Sequence, residues 1–226
     1  MNTTASVPMS NDPIIFRGLL RPDLLRGFTS LVRDSYSQLD QQASDQGILD
    51  DDLRSAYAWG AIGVPSLKGH FAGFSILNEV QATIQRAIPG ARFNDGLSTI
   101  RRFRSSSEHL SWHIDADGVG TSRIDPCFND WCTLSPVGLA SPSLELIPNS
   151  DKKMRQLPLL PPTAASRDDA WRRKHFPGAV FCPILDPGDV LIFSHYTLHR
   201  TQPMAHHSGR MSAELRFTLG EDVPIP

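Results

Sequence analysis

Two residues apart, His113 and Asp115 offer an imidazole nitrogen and a carboxylate oxygen. In a strand, residues at that spacing point to one face, so both donors can converge on one point. Mixed nitrogen and oxygen donors suit iron(II). A solvated strand pair gives the same triplet, so the pair gains meaning only from residues farther along the chain. Residues 186–193, Asp-Pro-Gly-Asp-Val-Leu-Ile-Phe, read as a Pro-Gly turn feeding an apolar strand, with His195 and His199 just beyond it. The position at the strand end favours His199 as the second histidine donor, and His195 is its rival. Two histidines and one carboxylate on one face of an octahedron form a facial triad and leave three adjacent positions open. A bidentate keto acid fills two of them and oxygen the third.

Eleven residues beyond His199 stand Arg210, Met211 and Ser212. On a strand, Arg210 and Ser212 face the same way. A guanidinium supplies paired donors to a carboxylate and a hydroxyl adds one more, which is what gripping the far carboxylate of 2-oxoglutarate requires. Arg216 shares the alternation and is the rival anchor, while Glu214 on that face is an alternative ion-pair partner for Arg210. Arg102 and Arg104 alternate on the run before the metal pair, placing them either toward the site, as contacts for an anionic substrate, or toward solvent.

The elements that must position these groups fall into two parts. Ile14–Phe16 suits a short strand, and Pro22-Asp23 then opens a helix with Leu24, Phe28, Leu31, Val32, Ser35 and Leu39 on one face. A second helix is expected over residues 75–88, with Ile76, Leu77, Val80, Ile84 and Ile88 together and Pro89-Gly90 as the stop. Seven short strands follow, at 97–104, 112–116, 129–137, 144–147, 179–185, 190–193 and 211–219, an irregular spacing that reads as a sandwich or barrel. Residues 151–177 show no clear period and are expected to be a functional loop or to contain a helix that periodicity does not reveal. The expectation is one domain over 1–226, mostly helical over 1–95 and a β core over 96–220.

These motifs resemble the phytanoyl-CoA dioxygenase-like family of Fe(II)/2-oxoglutarate-dependent oxygenases. The resemblance rests on Trp112-His-Ile-Asp115, the Gly188-Asp-Val-Leu-Ile-Phe193 strand, His199, Arg210-Met-Ser212, and the middle segments Asn129-Asp-Trp-Cys-Thr-Leu134 and Leu144-Glu-Leu-Ile-Pro-Asn-Ser-Asp151. It spans residues 97–219 and implies a mainly β double-stranded β-helix (a cupin-like jelly roll) with flanking helices. It also implies that His113, Asp115 and His199 hold the iron, that Arg210 and Ser212 anchor 2-oxoglutarate, that Trp131 lies beside the co-substrate, and that Thr201 is a nearby hydroxyl. The cofactor set implied is Fe(II), 2-oxoglutarate and O2, with succinate and CO2 released. Asp115 stands where halogenases of this class carry a small residue, so the expected outcome is oxidation of a small molecule, most simply hydroxylation of an intermediate of secondary metabolism, with desaturation, epoxidation and ring formation left open. Asn149-Ser150-Asp151 departs from the family's Gly-Ser-His turn, and Gly138-Leu-Ala-Ser-Pro142 from its usual preceding loop.

Composition limits the other classes. With 40% hydrophobic residues and a net charge of −2, the chain can build a core and has no basic excess for nucleic acid or an anionic membrane. Three cysteines without a C-x-x-C give neither a disulfide framework nor a thiolate zinc site. Residues 1–11 lack a signal-peptide pattern, and no apolar run approaches the ~20 residues of a span, so a cytoplasmic protein is expected. Three alternatives remain: a cupin-type dioxygenase or isomerase that does not use 2-oxoglutarate, a non-catalytic metal-binding module, and a zinc hydrolase.

Overall fold

A computed structural model describes residues 12–45, 47, 75–94, 98–104, 111–118, 127–160, 167–206 and 208–219. Strand β1 (Ile14–Phe16) precedes helix α1 (Pro22–Asp45), where Pro22 presets φ at the first helical position. Leu24, Phe28, Val32 and Tyr36 recur at helical spacing and are buried, with Leu31 partly so; the side chain of Leu39 lies outside the described residues. Helix α2 (Ser75–Ala87) buries Leu77, Val80 and Ile84, and the chain turns at Gly90 with φ 88°. Strands β2 (Ala91–Phe93) and β3 (Thr99–Phe103) follow, then a one-turn helix α3 (Asp115–Gly118) and strand β4 (Cys127–Thr133). After them come β5 (Leu144–Leu146), α4 (Ser150–Met154), α5 (Asp169–His175), β6 (Val190–Ser194), β7 (His199–Thr201) and β8 (Arg210–Leu219).

The major sheet is antiparallel, in the order β1-β6-β4-β8-β2, and β3 also pairs with β8. The minor sheet is β5 on β7, extended by isolated bridges at Val137–Leu185, Leu146–Phe181 and His113–His199. Alternation divides the major sheet. Phe128, Cys132, Val190, Ile192, Ala213, Leu215 and Phe217 share one core with Phe28, Val32, Leu77, Val80 and Ile84 of the helices. Trp131, Leu191 and Phe193 point the other way and meet Leu144, Leu146, Val137 and Leu185 between the sheets. This is a double-stranded β-helix with helices packed outside its major sheet. Phe28 alone, fully buried, contributes roughly 1.5–3 kcal/mol of apolar burial.

Two expected strands differ, and one open alternative is decided. Residues 112–116 are not a strand: Trp112 and His113 form single bridges, and the chain then turns into α3. The Ala116 N–H goes to the His195 carbonyl and the Asp117 N–H to the Ile114 carbonyl, so no extended partner remains for this stretch. Residues 179–185 likewise make only bridges at Phe181 and Leu185, because Pro183 between them has no N–H for a ladder. The segment 151–177 contains α4 and α5, and residues 161–166 lie outside the described set. Asp168 caps α5 by accepting from the Trp171 N–H at 2.6 Å, a signal that the sequence carries without a long apolar period. The Pro187-Gly188 turn is as expected. Gly188 has φ 93°, and a Cβ there would lie 2.9 Å from the Leu20 carbonyl oxygen.

Candidate metal centre

His113 and His199 are locked opposite each other by two backbone hydrogen bonds, of 2.9 and 3.0 Å, in a single antiparallel bridge. Their rings lie 4.3 Å apart between centroids. Asp115 reaches the same place from the first residue of α3, where its side chain comes within 3.9 Å of His199 Nε2. One donor atom from each of the three lies within 4.8 Å of the others. His113 is half-buried, whereas Asp115 and His199 are buried.

The backbone also sets which nitrogen is available. His113 Nδ1 lies 2.7 Å from the Ser111 carbonyl and His199 Nδ1 lies 2.9 Å from the Thr197 carbonyl. A carbonyl only accepts, so each Nδ1 carries the proton and each Nε2 presents its lone pair to the centre. Burial lowers the His113 imidazole to about 3, assisted by His199 and opposed by Asp115, which keeps it neutral as a donor must be. Burial works to raise the Asp115 carboxyl, but Arg216, His199 and His113 outweigh it and hold it well below the ordinary carboxylate range. Two imidazoles, each with its Nε2 toward the centre, and one carboxylate therefore converge, a donor set that fits a divalent first-row metal and iron(II) in particular.

His195 points elsewhere. Its Nδ1 lies 2.6 Å from the Cys127 carbonyl in the buried interior, and it is outside the three-residue cluster.

The two arginines of β8 occupy different settings. Arg216 Nη1 lies 3.1 Å from Asp115 Oδ2, and Nη2 lies 3.7 Å from Glu214 Oε2. Burial alone would lower Arg216, but those two carboxylates raise it. Arg210 is equally buried, yet Nη1 donates only to the Pro142 and Ser143 carbonyls, at 2.8 and 3.0 Å. Burial pushes Arg210 down to about 9, with Glu214 opposing and Arg101 assisting. Its guanidinium carbon stands 4.4 Å from the Phe103 ring centre and 5.2 Å from that of Trp131. Arg210 Nε, Ser212 Oγ, Trp131 Nε1, Thr201 Oγ1 and Ser143 Oγ are all buried without a hydrogen-bond partner among the described residues. Such orphaned donors are costly in a finished core and point to a polar anion that belongs among them.

Arg102 and Arg104 are not brought to this site. Arg102 pairs with Met211 across β3 and β8, on the helix side of the sheet, and both arginines reach Asp40 of α1, at 2.7 and 2.9 Å. The inward residue of that strand is Arg101, whose Nε lies 3.0 Å from Glu214 Oε1. Sequence reading also passed over Asn129, which donates to Asp115 Oδ2. Its signal was present in the alternation, because Asn129 stands two residues before Trp131 and so on the same face. Asn149 takes the left-handed conformation, φ 56°, that Asn tolerates, and Ser150 Oγ accepts from the Leu198 N–H at 2.8 Å. The altered turn thus still braces the segment that leads into β7.

No family model matches the chain, and no curated protein matches it by sequence. Solved structures do match. AviO1 from Streptomyces viridochromogenes Tue57 aligns at TM-score 0.56 and 18% identity, over 95% of this chain and 93% of that one. The non-heme alpha ketoglutarate dependent epimerase SnoN, from nogalamycin biosynthesis, aligns at 0.55 and 14%, over 92% and 79%. EctD from S. alaskensis, solved with 2-oxoglutarate and 5-hydroxyectoine, aligns at 0.58 and 13%, over 97% and 78%. These likenesses, all below 20% identity, establish the fold alone: the cupin-like double-stranded β-helix that the motif resemblance implied. Among the described residues no helix is long and apolar enough to cross a membrane.

Proposed function

We propose that the chain is an Fe(II)- and 2-oxoglutarate-dependent oxygenase acting on a C–H bond of a small molecule. One observation carries this reading: a triad of two histidines and a carboxylate stands on the same β-helix interior as a buried arginine that has no carboxylate of its own among the described residues. His113, Asp115 and His199 are the iron ligands. Arg210 holds the distal carboxylate of 2-oxoglutarate, with Ser212 and Thr201 as further donors and the Trp131 ring beside it. Iron(II) bound there would supply the redox centre at which oxygen and 2-oxoglutarate react, giving succinate and CO2.

The protein's own part is positional. The Ser111 and Thr197 carbonyls fix the tautomers of the ligand imidazoles, and the bridge between His113 and His199 sets their separation. Phe193, whose ring stands 5.0 Å from that of His199, and Leu191 keep the neighbouring interior apolar, so charge is concentrated at the ligands and the anchor. SnoN has been solved with Fe3+ and alpha ketoglutarate, and the origin of that enzyme supports an intermediate of secondary metabolism as the substrate class. Hydroxylation is the outcome proposed, in the cytoplasm, with no nucleic-acid or membrane partner.

Anaerobic addition of Fe(II) and 2-oxoglutarate tests the reading. The wild-type chain should develop the visible charge-transfer band of a keto-acid chelate. Arg210→Ala should raise the 2-oxoglutarate Kd about tenfold or more, since each charge-assisted hydrogen bond contributes roughly 1.5–3 kcal/mol. Metal bound without any band would refute the function, and an unchanged Kd in folded Arg210→Ala would refute the anchor.

A further inference from the structure

Alternation along β8 turns Glu214 and Arg216 toward the site, and four buried charges of alternating sign follow one another there. Arg101 Nε lies 3.0 Å from Glu214 Oε1, Glu214 Oε2 lies 3.7 Å from Arg216 Nη2, and Arg216 Nη1 lies 3.1 Å from Asp115 Oδ2. Thr99 Oγ1 donates to Glu214 Oε2 at 3.3 Å. Asn129, directly across the β4–β8 ladder from Arg216, donates to Asp115 Oδ2 as well. All four charged side chains are buried.

We propose that Arg216, oriented by Glu214, is a positioning residue that fixes the Asp115 carboxylate for the metal, with Arg101 as the balancing charge behind Glu214. This rests on the reading of His113, Asp115 and His199 as a metal site.

A single arginine would neutralise Asp115, so charge balance alone leaves Glu214 and Arg101 unexplained. Buried ions are costly, and apolar residues such as Trp131 and Leu191 occupy the adjoining strands of the same interior. Orientation accounts for the extra pair. A guanidinium is a rigid planar fork, and here Asp115 stands in ion-pair contact with one terminal nitrogen and Glu214 with the other, so the two carboxylates pull its two ends in different directions. One oxygen of Asp115 is then held from two directions, by the charge of Arg216 and by the donated hydrogen bond of Asn129, which opposes rotation of the carboxylate. A ligand held this way keeps its place in the triad and leaves the remaining coordination positions to others. Lysine at 216 would supply the charge but not the fork.

Mn(II) alone, without 2-oxoglutarate, tests the proposal on the full chain by titration and by its EPR spectrum. Arg216→Lys and Glu214→Gln should each weaken Mn(II) binding by roughly tenfold or more, the usual effect of losing an outer partner of a ligand. Both should alter the EPR line shape. Arg102→Ala, which breaks an ion pair on the opposite face, should do neither. Wild-type affinity and line shape in both site variants would overturn the proposal, as would losses no greater than that of Arg102→Ala. Far-UV circular dichroism checks folding, and if Glu214→Gln does not fold, Arg216→Lys decides alone. A wild-type chain that binds Mn(II) but forms no 2-oxoglutarate chelate would sink the oxygenase reading, while Arg216→Lys still decides the positioning role. A wild-type chain that binds no Mn(II) would overturn both.

Discussion

Asp130 carries a carboxyl into the core beneath the helices. It stands on β4 between Leu215 and Ile192 in the register, is fully buried, and points to the side opposite Asn129 and Trp131. Cys132 Sγ donates to Oδ1 at 3.3 Å, and Oδ2 has no hydrogen-bond partner among the described residues. Burial raises this carboxyl from 3.8 to about 7, only slightly opposed by the thiol. The native state therefore keeps a proton that the unfolded chain has already released at neutral pH. Its contribution to stability is full below pH about 4 and is lost as the pH rises toward 7. A shift of that size corresponds to roughly 4 kcal/mol over the whole range, of which about 2–3 kcal/mol falls between pH 5 and pH 8. Asp130→Asn keeps the shape and cannot titrate. Urea unfolding of both proteins at several pH values isolates the effect, because all other groups cancel in the difference. The variant should gain about 2–3 kcal/mol on wild type between pH 5 and pH 8, or roughly 5–10 °C in Tm. A difference that stays flat across that range would refute the reasoning and show Asp130 to be ionised and solvated in the native state.

His113 titrates with the opposite sign. Its folded value is depressed to about 3, so stability is lost as pH falls below the unfolded value of 6.5. Apo His113→Asn should escape about 1.5 kcal/mol of the loss between pH 6.5 and pH 5, measured as the change in its unfolding free energy relative to wild type. Arg102→Ala should leave the 2-oxoglutarate chelate intact and lower stability by about 1 kcal/mol, the scale of a partly exposed ion pair. A weaker chelate in that variant would place Arg102 at the site after all.

Much of this protein was legible before its structure. The 3.6-residue period of Leu24, Phe28 and Val32 and the β-type runs around 190–193 and 211–219 follow from residue chemistry within each segment, and each formed close to its expected span. The sequence also offered His113, Asp115 and His199 as donors, with His195 as a rival, and the structure brings the first three together. Where the sequence failed, the missing information was long-range. Alternation says that Arg101 and Arg102 lie on opposite faces, but not which face is inward; that was decided by Asp40 of α1 and Glu214 of β8 as competing partners. The spacing of His113 and Asp115 suggested a strand, yet the two converge through a bridge to His199 and a helical turn. Arg210 and Arg216 share one alternation and are equivalent by sequence. Only the packed interior separates them, because Asp115 and Glu214 stand in ion-pair contact with Arg216 and leave Arg210 a buried cation without a carboxylate among the described residues. Local order fixes which groups a strand presents, whereas the charge a buried group feels comes from neighbours a hundred residues away, and that only the tertiary structure decided.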